Sequence, residues 1–421
     1  MLVKPVTSLT LTAAASRSIC LSPARSLASQ GPNQKLPAQV QADRDVQVAT
    51  FQGKRFPDFE TTYRKRGAGG RSSFNGITAT IFNGAGFVSQ SLIGRLGKVG
   101  TQIVIAYRGA GYSEEKFKIA GDLGQIYMHH YNLKDEKSLY EAMRYSNVVV
   151  NCIGKECATQ NFSFDDVHVE GPRRMARIAR ECGVKKFIHI SALNASPNPT
   201  PVCLKKGSEF LRSKYYGELA VMEEFPGATI FRPADILGEK DNFLNHFTAL
   251  QRARYSDRLA IWDYYMGVEK QPVWIKDLIE GIQRAIADDS SSGKIYQAVG
   301  PYRYNFYDLI EYMRACAGQG QKNENLRISN LRWDFIMWAS IWFTEKVSKY
   351  PYLTWERCER DLTSDFVDPK LPTLVDLGVE LTPLELQIQT LAHYRPRDHR
   401  VEIPFESALD IEKPKRLNLV A

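Results

Sequence analysis

The stretch ITATIF (77–82) followed by NGAGFVSQ (83–90) decides the fold of this 421-residue chain. A short run of β-branched and apolar residues predicts a buried strand, and the small residues after it predict a tight turn into a helix. We expect that helix over 90–99 and a second strand over 102–107. Strand, glycine-containing turn, helix and strand in this order are typical of a dinucleotide-binding fold.

The turn places small residues where the pyrophosphate of a dinucleotide approaches the backbone and the helix N-terminus. Read as G-x-G-x-x-G, it has Ser89 in the third glycine position. Asn83 opens the turn, and Asn tolerates a left-handed backbone; Ser89 is small enough for close helix packing. A tight turn that holds no ligand is the alternative. The predicted cofactor contacts in the turn are Asn83, Gly84, Gly86, Phe87 and Val88.

Arg108 follows directly after the second predicted strand. In dinucleotide-binding folds this position meets the adenosine ribose, and a cation there favours the 2′-phosphate of NADP(H) over the bare ribose of NAD. The sequence therefore predicts NADP(H) as the cofactor, with Arg108 as one of its contacts.

From Ile77 onward, predicted strands and helices alternate. The strands are expected over 77–82, 102–107, 125–131, 147–153, 186–191 and 228–232, and the helices between them include 136–145, 165–182 and 208–224. Alternation of this kind predicts an α/β fold: a Rossmann-like, doubly wound parallel sheet with helices on both faces. A smaller mixed region is expected at the C-terminal end, where clean strands become fewer.

The chain divides into five predicted parts. They are a mitochondrial targeting presequence (1–35), an N-terminal arm (36–73), an NADP(H)-binding domain (74–240), a C-terminal substrate-like or interaction region (241–370) and a C-terminal tail (371–421).

The first 42 residues carry four of the cations behind the net charge of +8 and contain no carboxylate. Their Ser, Thr, Ala and spaced Arg residues are the composition of a mitochondrial presequence; a secretory signal competes, but its apolar core would be interrupted by Thr, Ser and Arg. Without that segment the net charge is near +4, with no basic groove interleaved with aromatics, which argues against nucleic-acid binding.

The seven cysteines form no C-x-x-C pair, and no histidine stands at ligand spacing beside Cys152 and Cys157. This spacing predicts no metal site and indicates reduced thiols in a non-oxidising compartment.

Short-chain dehydrogenases use a Tyr, a Lys four residues later and a Ser, and two of these three are present. Ser191 ends the strand KFIHIS, and the next helix contains FLRSK, in which Lys214 follows Phe210 by four residues. A phenyl ring has no proton to exchange, and loss of a general acid–base typically costs ~10²–10⁴-fold in rate. We therefore predict no catalytic residue and no turnover, while Ser191 and Lys214 remain candidate cofactor contacts.

Five further residues, at the ends of three predicted strands, follow the expected path of the cofactor. Asn132 and Leu133 follow the third strand, where folds of this kind hold adenine; Ile153 and Gly154 end the fourth; Pro233 ends the sixth, beside the expected nicotinamide carboxamide. Their order along the chain, rather than any single residue, supports these predictions.

An aromatic stripe lies near residues 331–343, where Leu331, Phe335, Trp338, Ile341 and Trp342 recur at helical spacing between flanking Lys and Arg residues. Such a stripe suits a helix at a lipid headgroup boundary, and equally a helix that packs in a core or against a partner. No apolar run reaches the length of a transmembrane helix.

Taken together, these motifs resemble the nucleotide-binding accessory subunits (alpha subcomplex) of mitochondrial respiratory complex I, atypical members of the short-chain dehydrogenase family. The resemblance spans about 68–390 and is carried by ITATIFNGAGFVSQ (77–90), SNVVVNCIG (146–154), KKFIHISALNA (185–195), RPADILGEKDNFLN (232–245) and KQPVWIKDLIEG (270–281), among other runs. It implies a protein on the matrix side of the inner membrane, bound to other complex I subunits where the peripheral and membrane arms meet. It also implies NADPH held structurally and without exchange. The family's usual turn is G-A-T-G-F-L-G, from which this chain departs at Asn83 and Ser89.

Two other functions remain open at the level of sequence. One is an active NADPH-dependent reductase or epimerase, which requires a proton donor to replace the missing Tyr. The other is a redox-sensing module, which requires different affinities for the oxidised and reduced cofactor.

Overall fold

The computed structural model describes residues 65–109, 115–159, 161–248, 258–317, 327–348, 351, 353–393 and 411–417. The predicted presequence (1–35) and the predicted arm up to residue 64 lie outside these residues.

The central element is a sheet of seven strands that all pair in parallel. Numbered in chain order among all strands, they are β1 (Thr78–Phe82), β2 (Gln102–Tyr107), β3 (Ile126–His130), β4 (Val148–Asn151), β5 (Lys186–Ile190), β6 (Thr229–Pro233) and β11 (Ile295–Ala298). Their order across the sheet is β11-β6-β5-β4-β1-β2-β3. This confirms the predicted doubly wound α/β fold.

Helices cover both faces of the sheet, and those that precede β11 in the chain lie between its strands. They are α1 (Phe87–Lys98), α2 (Glu136–Met143), α3 (Gly171–Glu181), α4 (Glu209–Glu224), α5 (Asn242–Thr248), α6 (Ile275–Ala287), α7 (Phe306–Cys316), α8 (Phe335–Val347), α9 (Trp355–Leu362) and α10 (Leu384–His393). One π-helical turn, Asp166–Glu170, leads into α3.

The core has two parts because successive side chains of a strand point to opposite faces. On β1, Ala79 and Ile81 pack with α1 and α6 on one face, whereas Phe82 packs with α2 and α3 on the other. All five residues of β1 are buried. A central strand covered on both sides explains why it reads as an almost continuous apolar run in the sequence.

The seventh strand was not among the six predicted ones. β11 comes from the chain beyond residue 240 and pairs with β6 in parallel register, Ile295 opposite Ile230. It has only four residues, and its buried Gln297 breaks the apolar run. The parallel sheet therefore takes its last strand from the region predicted to be mixed.

Among the described residues, three small sheets lie in or beside the mixed C-terminal region. β7 (Ile236–Leu237) pairs with β10 (Val273–Trp274), and β8 (Arg258–Ile261) pairs with β13 (Arg327–Asn330). The third sheet is antiparallel and joins β9 (Glu269–Lys270), β12 (Arg303–Asn305) and β14 (Arg416–Leu417).

The aromatic helix begins later than the stripe suggested. Leu331 lies in a turn before it, and α8 starts at Phe335 because the Asp334 carboxylate accepts the backbone N–H of Met337 as an N-cap. Only Ile341 of the helix is buried. The large apolar residues Phe335, Ile336, Trp338, Trp342, Phe343 and Val347 are all half-exposed or more.

The described part of the predicted tail packs on the main body. Leu374, Val379, Leu384 and Ile388 are buried in the larger core cluster. Asp277 on α6 accepts hydrogen bonds from the backbone N–H and the hydroxyl of Thr382. Residues 371–393 are therefore a structural part of the fold rather than a free end.

Candidate functional site

The strand order reverses between β1 and β4, and the carboxyl ends of these two strands form a crevice. In open α/β sheets, ligands bind at such a switch point. Asn83 follows β1 with φ 63°, the left-handed backbone expected of it. Its side-chain amide donates to the carbonyl of Cys152, 3.1 Å away, at the end of β4. Asn83 thus ties the turn to the neighbouring strand.

The two turn glycines serve different purposes. A Cβ on Gly84 would lie 2.2 Å from Cγ2 of Ile105, so Gly84 allows the turn to pack on β2. Gly86 faces the crevice, and a Cβ there would lie 2.8 Å from the side-chain nitrogen of Asn83 and 3.3 Å from the hydroxyl of Ser89. Gly86 is also the N-cap of α1, which has no side-chain cap and no acidic residue in its first turn. This leaves a helix N-terminus suited to an anion.

A cavity of about 530 Å³ lies over this turn. Eight of the predicted cofactor contacts line it: Asn83, Gly86, Phe87, Val88, Gly154, Ser191, Lys214 and Pro233. Gly84, Arg108, Asn132, Leu133 and Ile153 do not line it. The predicted residues therefore fall into two groups.

Ser191 and Lys214 are two buried residues that line the cavity. Ser191 is buried, and its hydroxyl has no hydrogen-bond partner among the described residues. The Lys214 ammonium donates to the carbonyl of Ile190 at 3.0 Å. Burial lowers the pKa of Lys214 to about 8, against the opposing effect of the Glu218 carboxylate. A buried hydroxyl and a buried amine are donors that a ribose of a dinucleotide could satisfy.

Phe210 lines the same cavity, four residues before Lys214 on α4. Its ring lies edge-on to His168, with 5.2 Å between the centroids. Burial lowers the pKa of His168 to about 2, so this ring is neutral. Its Nδ1 pairs with the hydroxyl of Ser213, and its Nε2 accepts the backbone N–H of Lys155. His168 is therefore committed to structural hydrogen bonds and is no substitute acid.

Pro233 forms part of the cavity wall at the end of β6. Its carbonyl already accepts the backbone N–H of Leu193, 2.9 Å away, and the N–H of Ala234 donates to Ala298. Because these backbone groups already form hydrogen bonds within the protein, Pro233 can contact a ligand through its ring.

Apart from Gly84, the predicted residues outside the cavity follow β2, β3 and β4. Asn132 is exposed and its side-chain oxygen accepts the N–H of Lys134, whereas Leu133 is buried and its carbonyl accepts from Arg174. Ile153 is buried, with its N–H bonded to the side chain of Asn151. Leu133 and Ile153 therefore support this end of the crevice from beneath.

Sequence reasoning missed a group of cations that surround Phe162. The Arg108 guanidinium carbon lies 5.7 Å from the centroid of this ring, the Lys134 ammonium 4.9 Å and the Lys155 ammonium 5.8 Å. None of the three has an ion-pair partner among the described residues. We call Arg108, Lys134, Lys155 and Phe162 the Phe162 cluster. Three cations that follow β2, β3 and β4, without counter-ions among the described residues, form a site of positive potential.

The opposite wall of the cavity carries a buried ionic network, which the sequence also did not reveal. The Lys270 ammonium lies 3.3 Å from the carboxylate of Asp235 and 3.7 Å from that of Asp365. Burial raises the pKa of Asp365, while Lys270 opposes that rise. Arg357, Arg360 and Asp361 of α9 complete this wall.

The described residues contain no group of His, Cys, Asp or Glu side chains that could hold a metal ion. Within the same part of the chain, no helix combines the length and the apolar character that a membrane span requires.

The geometry suits a dinucleotide. Gly86, at the uncapped start of α1, lines the cavity, and the buried Ser191 hydroxyl has no hydrogen-bond partner among the described residues. The residues present therefore fit an NAD(P)-type cofactor.

Comparison with known proteins agrees with this geometry. Residues 81–298 match the sequence profile of the NAD dependent epimerase/dehydratase family. The chain is 35% identical over 387 residues to the mouse protein named NADH dehydrogenase (ubiquinone) 1 alpha subcomplex subunit 9, mitochondrial, covering 90% of this chain and 96% of the relative. The NADH-ubiquinone oxidoreductase 40 kDa subunit, mitochondrial, of Neurospora crassa is 30% identical over 75% of this chain and 78% of its own length.

Solved structures show the same fold at low identity. Triphenylmethane reductase from Citrobacter sp. aligns with a TM-score of 0.55 at 15% identity, over 75% of this chain and 99% of its own. UDP-glucose 4-epimerase from Thermotoga maritima aligns with a TM-score of 0.52 at 14% identity, over 76% of this chain and 98% of its own.

Proposed function

Because the chain belongs to the family of the alpha subcomplex subunit 9 of mitochondrial NADH dehydrogenase (ubiquinone), within the NAD dependent epimerase/dehydratase family, we propose that it is a non-catalytic accessory subunit of complex I. In this role it binds NADPH as a structural cofactor. It lies on the matrix side of the inner membrane, where the peripheral and membrane arms meet, and contacts other complex I subunits there.

The observation that carries the proposal is the composition of the cavity. The phosphate-binding turn, Ser191 and Lys214 line it as a nucleotide site requires, but Phe210 stands where a proton donor would be needed. The site thus retains what binding needs and lacks what proton transfer needs.

The Phe162 cluster supports NADPH over NADH. A 2′-phosphate at the ends of β2, β3 and β4 would meet three cations that have no carboxylate partner among the described residues. Charge-assisted hydrogen bonds to a phosphate are about twice as strong as neutral ones.

A tightly bound cofactor gives the subunit stability. A ligand that binds only the folded state stabilises it by ~2.7 kcal/mol at a hundredfold excess over Kd. That is a large fraction of the ~5–15 kcal/mol by which folded proteins are stable. The cofactor therefore acts as part of the core rather than as a reactant.

The test is native isolation of the protein from mitochondrial membranes, followed by denaturation and identification of released nucleotide by mass spectrometry. The proposal predicts stoichiometric NADPH in a fraction that migrates with complex I. An empty protein in that fraction would remove the cofactor from the proposal. A free, loaded protein that reduces carbonyl compounds, at a rate that falls in Lys214→Ala, would overturn the non-catalytic role.

The exposed apolar face of α8 supports a contact with lipid headgroups. Trp338 and Trp342 are half-exposed, and Lys346 lies in the last turn of the helix. Such amphipathic residues favour a membrane interface. Flotation with vesicles of inner-membrane lipid composition tests this: the double variant Trp338→Ser/Trp342→Ser should float less than the wild type. Tyr127→Ser removes another exposed aromatic, on β3, and should float as the wild type does. Equal flotation of all three would leave α8 to a protein partner.

A further inference from the structure

Helix α9 holds the start of α4, the helix that carries Phe210 and Lys214. The Glu356 carboxylate accepts the backbone N–H of Phe210 at 2.9 Å, the N–H of Glu209 at 3.3 Å and the hydroxyl of Ser208. Glu356 is buried. A carboxylate at a helix N-terminus satisfies free N–H donors and interacts favourably with the helix dipole. One end of α9 is thus fixed to the helix that would carry the catalytic residues of a dehydrogenase.

A second glutamate of α9 fixes the loop before α4. The Glu359 carboxylate accepts three consecutive backbone N–H groups, from Val202 at 2.7 Å, Cys203 at 2.6 Å and Leu204 at 2.9 Å. Glu359 is fully buried. Three consecutive N–H donors form an anion-binding concavity, and here a side chain of the same chain fills it.

Arg360, the next residue, covers the ring of Phe210. Its guanidinium carbon lies 4.4 Å from the ring centroid, inside the range of cation–π contacts. Both residues line the cavity that holds the phosphate-binding turn and Lys214. The guanidinium therefore occupies the space beside Phe210, where a substrate of a dehydrogenase would meet the proton donor.

Arg357, about one helical turn before Arg360 on α9, also lines the cavity. It donates to the carbonyl of Asn242 at 2.8 Å and to the carboxylate of Glu156 at 3.4 Å, and all three residues line the cavity. Helix α9 thus contacts the start of α4, the loop before it, the segment after β4 and the start of α5.

We propose that α9 covers the part of the cavity that would hold the nicotinamide of the cofactor. In this role Arg360, positioned by Glu356 and Glu359, keeps the cofactor bound and shields the nicotinamide from substrates and solvent. This inference rests on the proposed function, because it assigns a role to α9 only for a chain that binds NADPH. It gives a physical reason for a cofactor that does not exchange: six hydrogen bonds to Glu356 and Glu359 and the cation–π contact of Arg360 hold α9 against α4 and the loop before it, and these contacts oppose its displacement from the cavity.

The experiment compares Arg360→Ala with the wild-type full-length chain, both loaded with NADPH. Stopped-flow mixing with excess NADP⁺ gives the release rate from the loss of NADPH fluorescence, and acrylamide quenching measures how far the nicotinamide is open to solvent. We expect release about tenfold faster in Arg360→Ala, as loss of a desolvated cation–π contact would give, together with stronger quenching.

The matched control is Arg173→Ala. It removes an arginine that pairs with Glu170 and with Glu223 of α4 but does not line the cavity. Its release rate and quenching should equal those of the wild type. Glu359→Gln, which weakens the cover without removing the guanidinium, should shift both readouts in the same direction by less. That variant decides the question if Arg360→Ala does not fold.

The outcomes separate the two proposals. A wild-type chain that takes up no NADPH overturns both the proposed function and this inference. A loaded chain in which Arg360→Ala and Glu359→Gln release NADPH and are quenched as the wild type is overturns only the role of α9.

Discussion

Arg232 on β6 and Glu218 on α4 form a two-pronged ion pair. The Nε of Arg232 lies 2.9 Å from Oε1 of Glu218, and its Nη2 lies 2.5 Å from Oε2. Phe210, Lys214 and Glu218 follow one another at intervals of four residues, so they share a face of α4. The pair therefore fixes which way α4 turns Lys214 toward the sheet.

Glu218→Gln should lower the free energy of unfolding by roughly 3 kcal/mol, because it leaves a half-buried guanidinium without its counter-charge. Glu223, also on α4, forms an exposed ion pair with Arg173 of α3, and Glu223→Gln should lower the free energy of unfolding by about 0.5 kcal/mol or less. Chemical denaturation of the full-length chain measures both. Equal effects of the two substitutions would mean that the Arg232–Glu218 pair contributes no more than a surface contact.

Arg108→Ala should weaken NADPH binding about tenfold to a hundredfold and leave NADH binding almost unchanged. The expectation follows from the ~1.5–3 kcal/mol of a hydrogen bond to a charged group, which only the 2′-phosphate can supply. Lys134→Ala and Lys155→Ala should act in the same direction. Calorimetric titration with each nucleotide measures the ratio.

Arg144→Ala is the control for this series, since it removes the same charge from an arginine that stacks on Tyr145 at the end of α2. It should leave both affinities unchanged. If Arg108→Ala weakened NADPH and NADH equally, the Phe162 cluster would not be the site that distinguishes them.

The pH dependence of NADPH binding should report on Lys214. Burial lowers its pKa from 10.5 to about 8, so the ammonium loses its charge as the pH rises through 8. An anionic cofactor raises that pKa again, and binding near pH 8 should therefore take up protons and weaken at higher pH. Titrations in buffers of different ionisation enthalpy measure the uptake, which should be absent in Lys214→Met. The same uptake in that variant would assign it to another group.

In the cofactor-free chain, the lowered pKa of Lys214 makes stability change with pH in the direction opposite to that of a lysine in a salt bridge. Between about pH 8 and 10.5 the unfolded chain keeps the Lys214 proton that the folded chain has lost. The contribution of Lys214 to stability therefore rises with pH across that window, and Lys214→Met should remove this rise.

Local patterns in the sequence were sufficient for the first half of the fold. The central strands β1 and β4 are buried along their whole length, so each gives a run of β-branched and apolar residues that a sequence pattern can detect. The left-handed Asn83 follows from the turn that joins β1 to α1. Ser191 lines the cavity because parallel strands end at the same edge of the sheet, and Lys214 lines it from α4, at the spacing that the motif FLRSK predicts. Each of these features is predicted from a sequence pattern that spans about thirty residues or fewer.

Other parts of the site depend on contacts between distant residues. Arg360 covers Phe210 from 150 positions away, and Lys270 pairs with Asp365 across 95. Neither pair leaves a periodic pattern in the sequence. The short strand β11 was missed for a related reason, since four residues with a buried Gln give no clear signal before β6 is known to lie beside them.

Alanine at three glycines near the phosphate-binding turn should separate packing from cofactor binding. Gly94 lies within α1 with open space where a Cβ would stand, so Gly94→Ala should stabilise the chain by about 0.5–1 kcal/mol through helix propensity. Gly84→Ala would place a Cβ 2.2 Å from Ile105 and should destabilise it by about 1–3 kcal/mol through overpacking. Gly86→Ala would place a Cβ 2.8 Å from the side-chain nitrogen of Asn83 in the cavity wall, so it should displace the turn and weaken NADPH binding about tenfold or more. Thermal unfolding with and without NADPH measures all three: Gly86→Ala should lose the stabilisation that the cofactor gives, and Gly94→Ala should keep it. If Gly86→Ala retained the full shift with NADPH, the cofactor would not approach the start of α1, and the role assigned to this turn would be wrong.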